Sequence, residues 1–125
     1  MDRLYMPFSK WIEDAFNSGM PDEVVSICFN IYEDESSLWS IEMIGCNRFD
    51  YDDWDWACSE VTDFGTRFIP FKLSDLNDWE NVQQRIGDMI KNYLDKGVYS
   101  EYMQSRMCIA VGFVDGDLNY LYLKK

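Results

Sequence analysis

Three patterns in this sequence predict an α+β fold: short runs with apolar residues at period two, two stretches with apolar residues three and four apart, and a length of 125 residues that suits one core. The expected architecture is a mostly antiparallel sheet with two main helices on one face, in the order α-β-β-β-α-β-β, within a single domain over residues 1–125. Hydrophobic residues make up 47% of the chain and aromatics 17%, so burial of roughly two thirds of the unfolded surface lets it fold without staples.

Leu4, Phe8, Trp11, Ile12, Ala15 and Phe16 recur at helical spacing and predict a helix over residues 8–18. Pro7 sits where a first turn tolerates proline, and Gly19 with Pro21 ends the helix. From Val24 to Tyr32 the period becomes two, with Val25, Ile27, Phe29 and Ile31 on one face and Val24, Ser26, Cys28, Asn30 and Tyr32 on the other. The polar tract Glu33–Ser37 reads as a hairpin loop. The strand after it has Trp39, Ile41 and Met43 facing one way and Leu38, Ser40, Glu42 and Ile44 the other.

Residues 49–64, FDYDDWDWACSEVTDF, fit either a long loop or a bent strand. The run Arg67–Phe71 reads as a strand, and Pro70, which cannot donate to a ladder, puts it at an edge. A second helix follows. Its apolar stripe is Leu76, Trp79, Val82, Ile86, Met89, Ile90, Tyr93 and Leu94, with Asn77 and Glu80 as a capping pair and Lys96-Gly97 at its end. Both ring-bearing stripes, with Trp11 and Phe16 in one and Trp79 and Tyr93 in the other, read as core. Residues 99–105 form a short helical or irregular connector. Strands over 107–114 and 117–123 then flank Asp115-Gly116, a two-residue hairpin signal in which glycine supplies positive φ.

Charge narrows the function. There are 11 Lys+Arg against 23 Asp+Glu, a formal net charge of −12, and no histidine. That balance argues against sequence-independent binding to nucleic acid or anionic membrane, and the missing imidazole excludes histidine-based nucleophilic catalysis and histidine-bearing zinc sites. The excess lies entirely in residues 1–64, with 15 acidic and 3 basic side chains, whereas residues 65–125 carry eight of each. Cys28, Cys46, Cys58 and Cys108 form no C-x-x-C pair and read as free, buried thiols of a reducing cytosol. The start MDRLYMPFSK has no uninterrupted apolar stretch of the secretory kind, so the expected compartment is the cytoplasm.

Between residues 33 and 63 ten acids face only Arg48, and the densest stretch interleaves them with rings: Phe49, Asp50, Tyr51, Asp52, Asp53, Trp54, Asp55, Trp56. One reading is a solvated loop whose rings turn into the core. The other is a surface for a basic partner, on which carboxylates steer the encounter and rings supply desolvated anchors. A calcium loop starting at Asp50 fails, because Trp54 falls at its fifth position, Asp55 replaces the glycine and Val61 stands where the closing glutamate belongs. Asp50, Asp52, Asp55 and Glu60 could serve carboxylate chemistry, yet no Gly-rich phosphate loop or nearby lysine accompanies them.

The closing segment CIAVGFVDGDLNYLYL, the W-E-N-V helix start and the D-x-D-W-A-C stretch at 53–58 resemble the immunity proteins of bacterial polymorphic toxin and contact-dependent inhibition systems, over residues 24–123. The resemblance implies a cytoplasmic inhibitor that binds one cognate toxin domain, often a nuclease, and occludes its active site. The expected partner is thus a protein toxin with a basic cleft, and the chain itself is expected to have no enzyme activity, metal or cofactor. The candidate partner-binding residues are Glu33, Asp34, Glu35, Asp50, Asp52, Asp53, Trp54, Asp55, Trp56 and Glu60. The alternatives are a DNA-mimicking or regulatory protein that binds a basic host protein, and a small carboxylate metal-binding enzyme.

Overall fold

The computed structural model describes residues 2–75, 77–114 and 116–124, with Asp63 described by its backbone. It is an α+β fold built on one six-stranded sheet. The chain runs α1 (Tyr5–Phe16), β1 (Ser26–Glu35), β2 (Leu38–Cys46), a 3-10 turn (Trp54–Cys58), β3 (Glu60–Gly65), β4 (Phe71–Ser74), α2 (Trp79–Lys96), α3 (Ser100–Gln104), β5 (Cys108–Phe113) and β6 (Asn119–Leu123). The sheet order is β3-β2-β1-β5-β6, with β4 also on β2. Among the described residues only β1 and β5 pair in parallel; the other pairings are antiparallel.

The two periodicities meet in the core. Phe8, Ile12 and Phe16 of α1 and Val82, Ile86, Met89, Ile90 and Tyr93 of α2 pack on Ile27, Phe29, Ile31, Trp39, Ile41, Met43, Ile109 and Val111 from the central strands. All three helices therefore cover one face. The opposite face carries Cys28, Ile44, Cys46, Cys108 and Ala110, covered by Trp56 of the 3-10 turn.

Several boundaries differ from the sequence expectations, each for a local reason. The 33–37 tract is mostly strand: β1 continues to Glu35 past a bulge, and only Ser36 and Ser37 turn, Ser37 at a φ of 68°. Of the 67–71 run only Phe71 is strand, the first residue of β4; residues 67–70 are a loop. Gly65, at a φ of 133°, brings the backbone so close to the Met43 carbonyl that a Cβ would stand 2.8 Å from that oxygen. The chain leaves the edge there and loops out, pinned by a 2.7 Å bond from Trp11 Nε1 to the Ile69 carbonyl, and rejoins β2 as β4. Pro70 thus belongs to a loop that splits one edge into two short strands.

The cap of α2 is Asp78, whose carboxylate accepts from the Asn81 backbone N–H at 3.1 Å; Asn77 instead hydrogen-bonds Asp75. Leu76, from the expected apolar stripe, and Asp115, from the expected hairpin, lie outside the described residues. Trp79 is not core, being 56% exposed. The β5–β6 connection is longer than two residues, with Val111 opposite Asn119.

Arg85 clasps the helical layer. Its guanidinium donates to Asp2 at 2.6 and 2.9 Å and to Asp75 at 3.0 Å, tying the start of the chain to α2 and the turn before it. The Arg85 hydrogen bond is the main cause that holds the Asp2 carboxyl at about 2, below its ordinary 3.8, against opposing desolvation. A carboxyl depressed in this way stabilises the fold above its unfolded pKa, and that contribution disappears as pH falls through its folded one. Thermal melts of Asp2→Asn should therefore show a lower Tm than wild type near pH 7 and a gap that closes between pH about 4 and about 2.

All four cysteines are free, but Cys58 is exposed, which departs from the all-buried expectation. Burial raises the other three thiols, Cys46 and Cys108 to about 12 and Cys28 further still. A thiol-reactive aromatic disulfide at pH 8 should titrate one cysteine rapidly in native protein and all four in denaturant, with Cys58→Ser removing the native signal.

Candidate acidic docking surface

β2 ends at Cys46 on the Ser26 end of β1, so the acidic segment leaves the sheet there and turns back over the second face. What holds it down is aromatic. Trp56 is fully buried, and its indole N–H points to the Tyr120 hydroxyl at 3.5 Å. Phe49 packs edge-on against Trp56 (5.5 Å between centroids) and Tyr120 (5.8 Å), while Tyr51 leans on Tyr120 at 5.3 Å. The alternation of acids and rings thus resolves into two layers. Phe49 and Trp56 face inward; Tyr51 (60% exposed) and Trp54 (46%) face solvent.

Trp56 was among the candidate contact residues, and its burial corrects that assignment: it anchors the lid and cannot reach a partner. Asp50, Asp52, Asp53 and Asp55 are exposed, and none takes part in an ion pair among the described residues. Asp50 accepts from the Asp52 backbone N–H, and Asp53 caps the 3-10 turn by accepting from that of Asp55, both at 3.0 Å. These bonds order the loop without neutralising it.

Magnitudes decide whether such a lid can stay closed. Burying an indole removes roughly 200 Å² from water, worth about 5 kcal/mol. Repulsion between surface carboxylates is about 1 kcal/mol for a close pair and is screened further by salt. Burial wins, so the aspartates are held together by Trp56 despite their charge.

The other candidates do not join this patch. Glu60 is paired with Arg67, and Asp34 accepts from Ser40 and pairs with Lys72 at 3.6 Å. The hairpin tip lies at the far end of β1, roughly 30 Å along the sheet at 3.3 Å per residue, since Glu35 pairs with Leu38 there while Ser26 pairs with Cys46 at the lid end. Glu33 and Glu35 are exposed at that tip, so the candidate surface is two separate acidic regions.

A group that the sequence reading did not single out lies between them. Glu42, 5% exposed, accepts from the Tyr32 hydroxyl at 2.6 Å and the Asn30 amide at 3.3 Å. Burial and this carboxylate drive the Tyr32 phenol well above its ordinary value. The readable signal was positional: Asn30, Tyr32 and Glu42 share one face by strand parity. Among the described residues no cluster of acids and thiols converges as a metal site would, and no helix is long and apolar enough to cross a membrane. Compared with protein-family models, curated proteins and solved structures, the chain matches none.

Trp56→Ala should cost about 3–5 kcal/mol in urea unfolding, because the cavity opens beneath the lid. Trp54→Ala, changing a half-exposed ring two residues away, should stay within about 1 kcal/mol.

Proposed function

We propose that this chain is a non-catalytic binding protein that neutralises a basic protein, in the manner of an immunity protein and its toxin, with the 49–58 lid as its docking surface. One observation carries the reading: Asp50, Asp52, Asp53 and Asp55, in no ion pair among the described residues, stand around two outward rings on a segment fixed by a buried tryptophan. Mobile surface carboxylates would serve solubility equally well. A preorganised anionic surface with Tyr51 and Trp54 at hand also lowers the ordering cost of association and supplies the aromatic contacts that dominate interface energy. A nuclease cleft, built to hold phosphates, is the complementary object.

The test starts from the native host. Full-length protein and its Asp50/Asp52/Asp53/Asp55→Asn variant are used as baits at low and high salt, and the captured protein is identified and expressed alone and together with the chain. The expected result is a basic partner that is toxic alone and harmless in coexpression. The variant should slow association by about 10- to 100-fold at low salt, and Trp54→Ala should raise the off-rate about tenfold or more. Capture that ignores both salt and the Asn changes would overturn the docking surface. A partner that is a host nucleic-acid-binding protein, without toxicity, would replace the toxin reading by the mimic.

A further inference from the structure

A second concavity lies away from the lid, outside the carboxyl ends of the parallel pair β1 and β5 and beside the first turn of α2. It encloses about 630 Å³, and its walls include Tyr32, Trp79, Phe113 and Val114, with Glu33 and Asp117 as its acids. Open α/β sheets place ligand sites in this same relation to their parallel strands.

The walls are built, not incidental. Trp39, 3% exposed and hydrogen-bonded through Nε1 to the Asp75 carbonyl at 3.1 Å, supports Phe113 edge-on at 5.7 Å. Phe113 in turn holds Trp79 at 5.8 Å and 89°. On the other side the 116–118 segment crosses β5 so closely that a Cβ on Gly112 would lie 2.7 Å from the Asp117 carbonyl. Two large side chains stay open to water here, Trp79 at 56% and Val114 at 50%.

Charge selects the occupant. Among the described residues no lysine or arginine lines the crevice, Glu33 and Asp117 enter no ion pair, and Asp78 and Glu80 occupy the adjacent start of α2. The helix N-terminus contributes only about half a positive charge, which these carboxylates outweigh, so an anion is disfavoured. An aromatic wall beside carboxylates suits guanidinium: its plane stacks on indole while its N–H groups fork onto carboxylate, and its aliphatic stem covers Val114 and Phe113. The volume exceeds one head group and suits a short stretch of chain.

We infer that this crevice binds an arginine-bearing segment of a protein partner, with the guanidinium stacked on Trp79 between Glu33 and Asp117. This rests on the proposed binding of a basic protein and adds a second contact to it. The two regions are joined by one stretch of chain: Asp117 walls the crevice, while Leu118 and Tyr120 pack under the lid.

The test uses the full chain labelled with ¹⁵N at its 5 tryptophans, with the Trp79 indole resonance assigned through Trp79→Phe. A capped Ala-Arg-Leu peptide should shift that resonance saturably, with a millimolar Kd. The citrulline peptide, neutral and nearly the same shape, should bind about tenfold more weakly. Glu33→Gln with Asp117→Asn should weaken the arginine peptide to a similar degree while the other indole resonances stay in place. The Asp50/Asp52/Asp53/Asp55→Asn lid variant should titrate as wild type, so failure of the lid reading and failure of this one remain separate. Equal binding of both peptides, a Trp79 shift with inorganic phosphate instead, or no saturable shift would overturn the inference. Agmatine binding as tightly as the peptide would overturn the protein segment as occupant.

Discussion

The burial of Trp56 is the constraint on which the second face of this molecule depends. Cys28 on β1, Cys108 and Ala110 on β5 and Ile44 and Cys46 on β2 present apolar surface away from the helices, and a sheet with two apolar faces needs two covers. The helices supply one. The other is a segment that, judged by its charge, ought to remain in water, and it is drawn down by one indole, one phenylalanine and the ring of Tyr120. Small thiols and Ala110 on the sheet leave room for so large a ring, which links the cysteine positions to the place of the acidic surface.

Excess charge in the first half of the chain is partly offset by the second half. Arg67, Lys72 and Arg85 pair with Glu60, Asp34 and Asp2, so three acids from the negative half are neutralised by fold-closing contacts. Among the described residues, four of the acids left without an ion pair stand together on the ring-anchored lid, and Glu33 and Glu35 stand at the hairpin tip. The electrostatic asymmetry of the folded protein is therefore narrower than that of the sequence, and divided between those two regions.

Periodicity made the interior legible. The alternation over Ile27–Ile31 and Trp39–Met43 and the stripe from Val82 to Tyr93 describe the packed core, because each side chain there has only one face to occupy. Edges and ends were less readable. Pro70 correctly pointed to an edge, yet the break came from Gly65 and the indole clasp on Ile69, a contact 58 residues apart that no local pattern encodes. Trp79 fits the helical stripe, but at the first position of α2 it is more than half exposed and meets the sheet at Phe113, the last residue of β5. In the lid, alternation offered no guide to which rings turn inward: a five-residue 3-10 turn has neither the strand's period nor the helix's, and Trp54 and Trp56 part company there. Glu42 was invisible as a buried acid until Tyr32 and Asn30 were seen across from it.

The division of one sheet margin between β3 and β4 affects how molecules of this kind coexist at high concentration. A long straight rim of unpaired amides templates strand addition from a neighbour. Here the rim on the β2 side is interrupted by the Thr66–Pro70 loop, so its two pieces of six and four residues cannot act as one template. On the opposite rim β6 is five residues long and leads directly into Lys124. A protein rich in aromatic residues thereby stays poorly suited to fibrillar stacking, through the shape of its borders as much as through its charge.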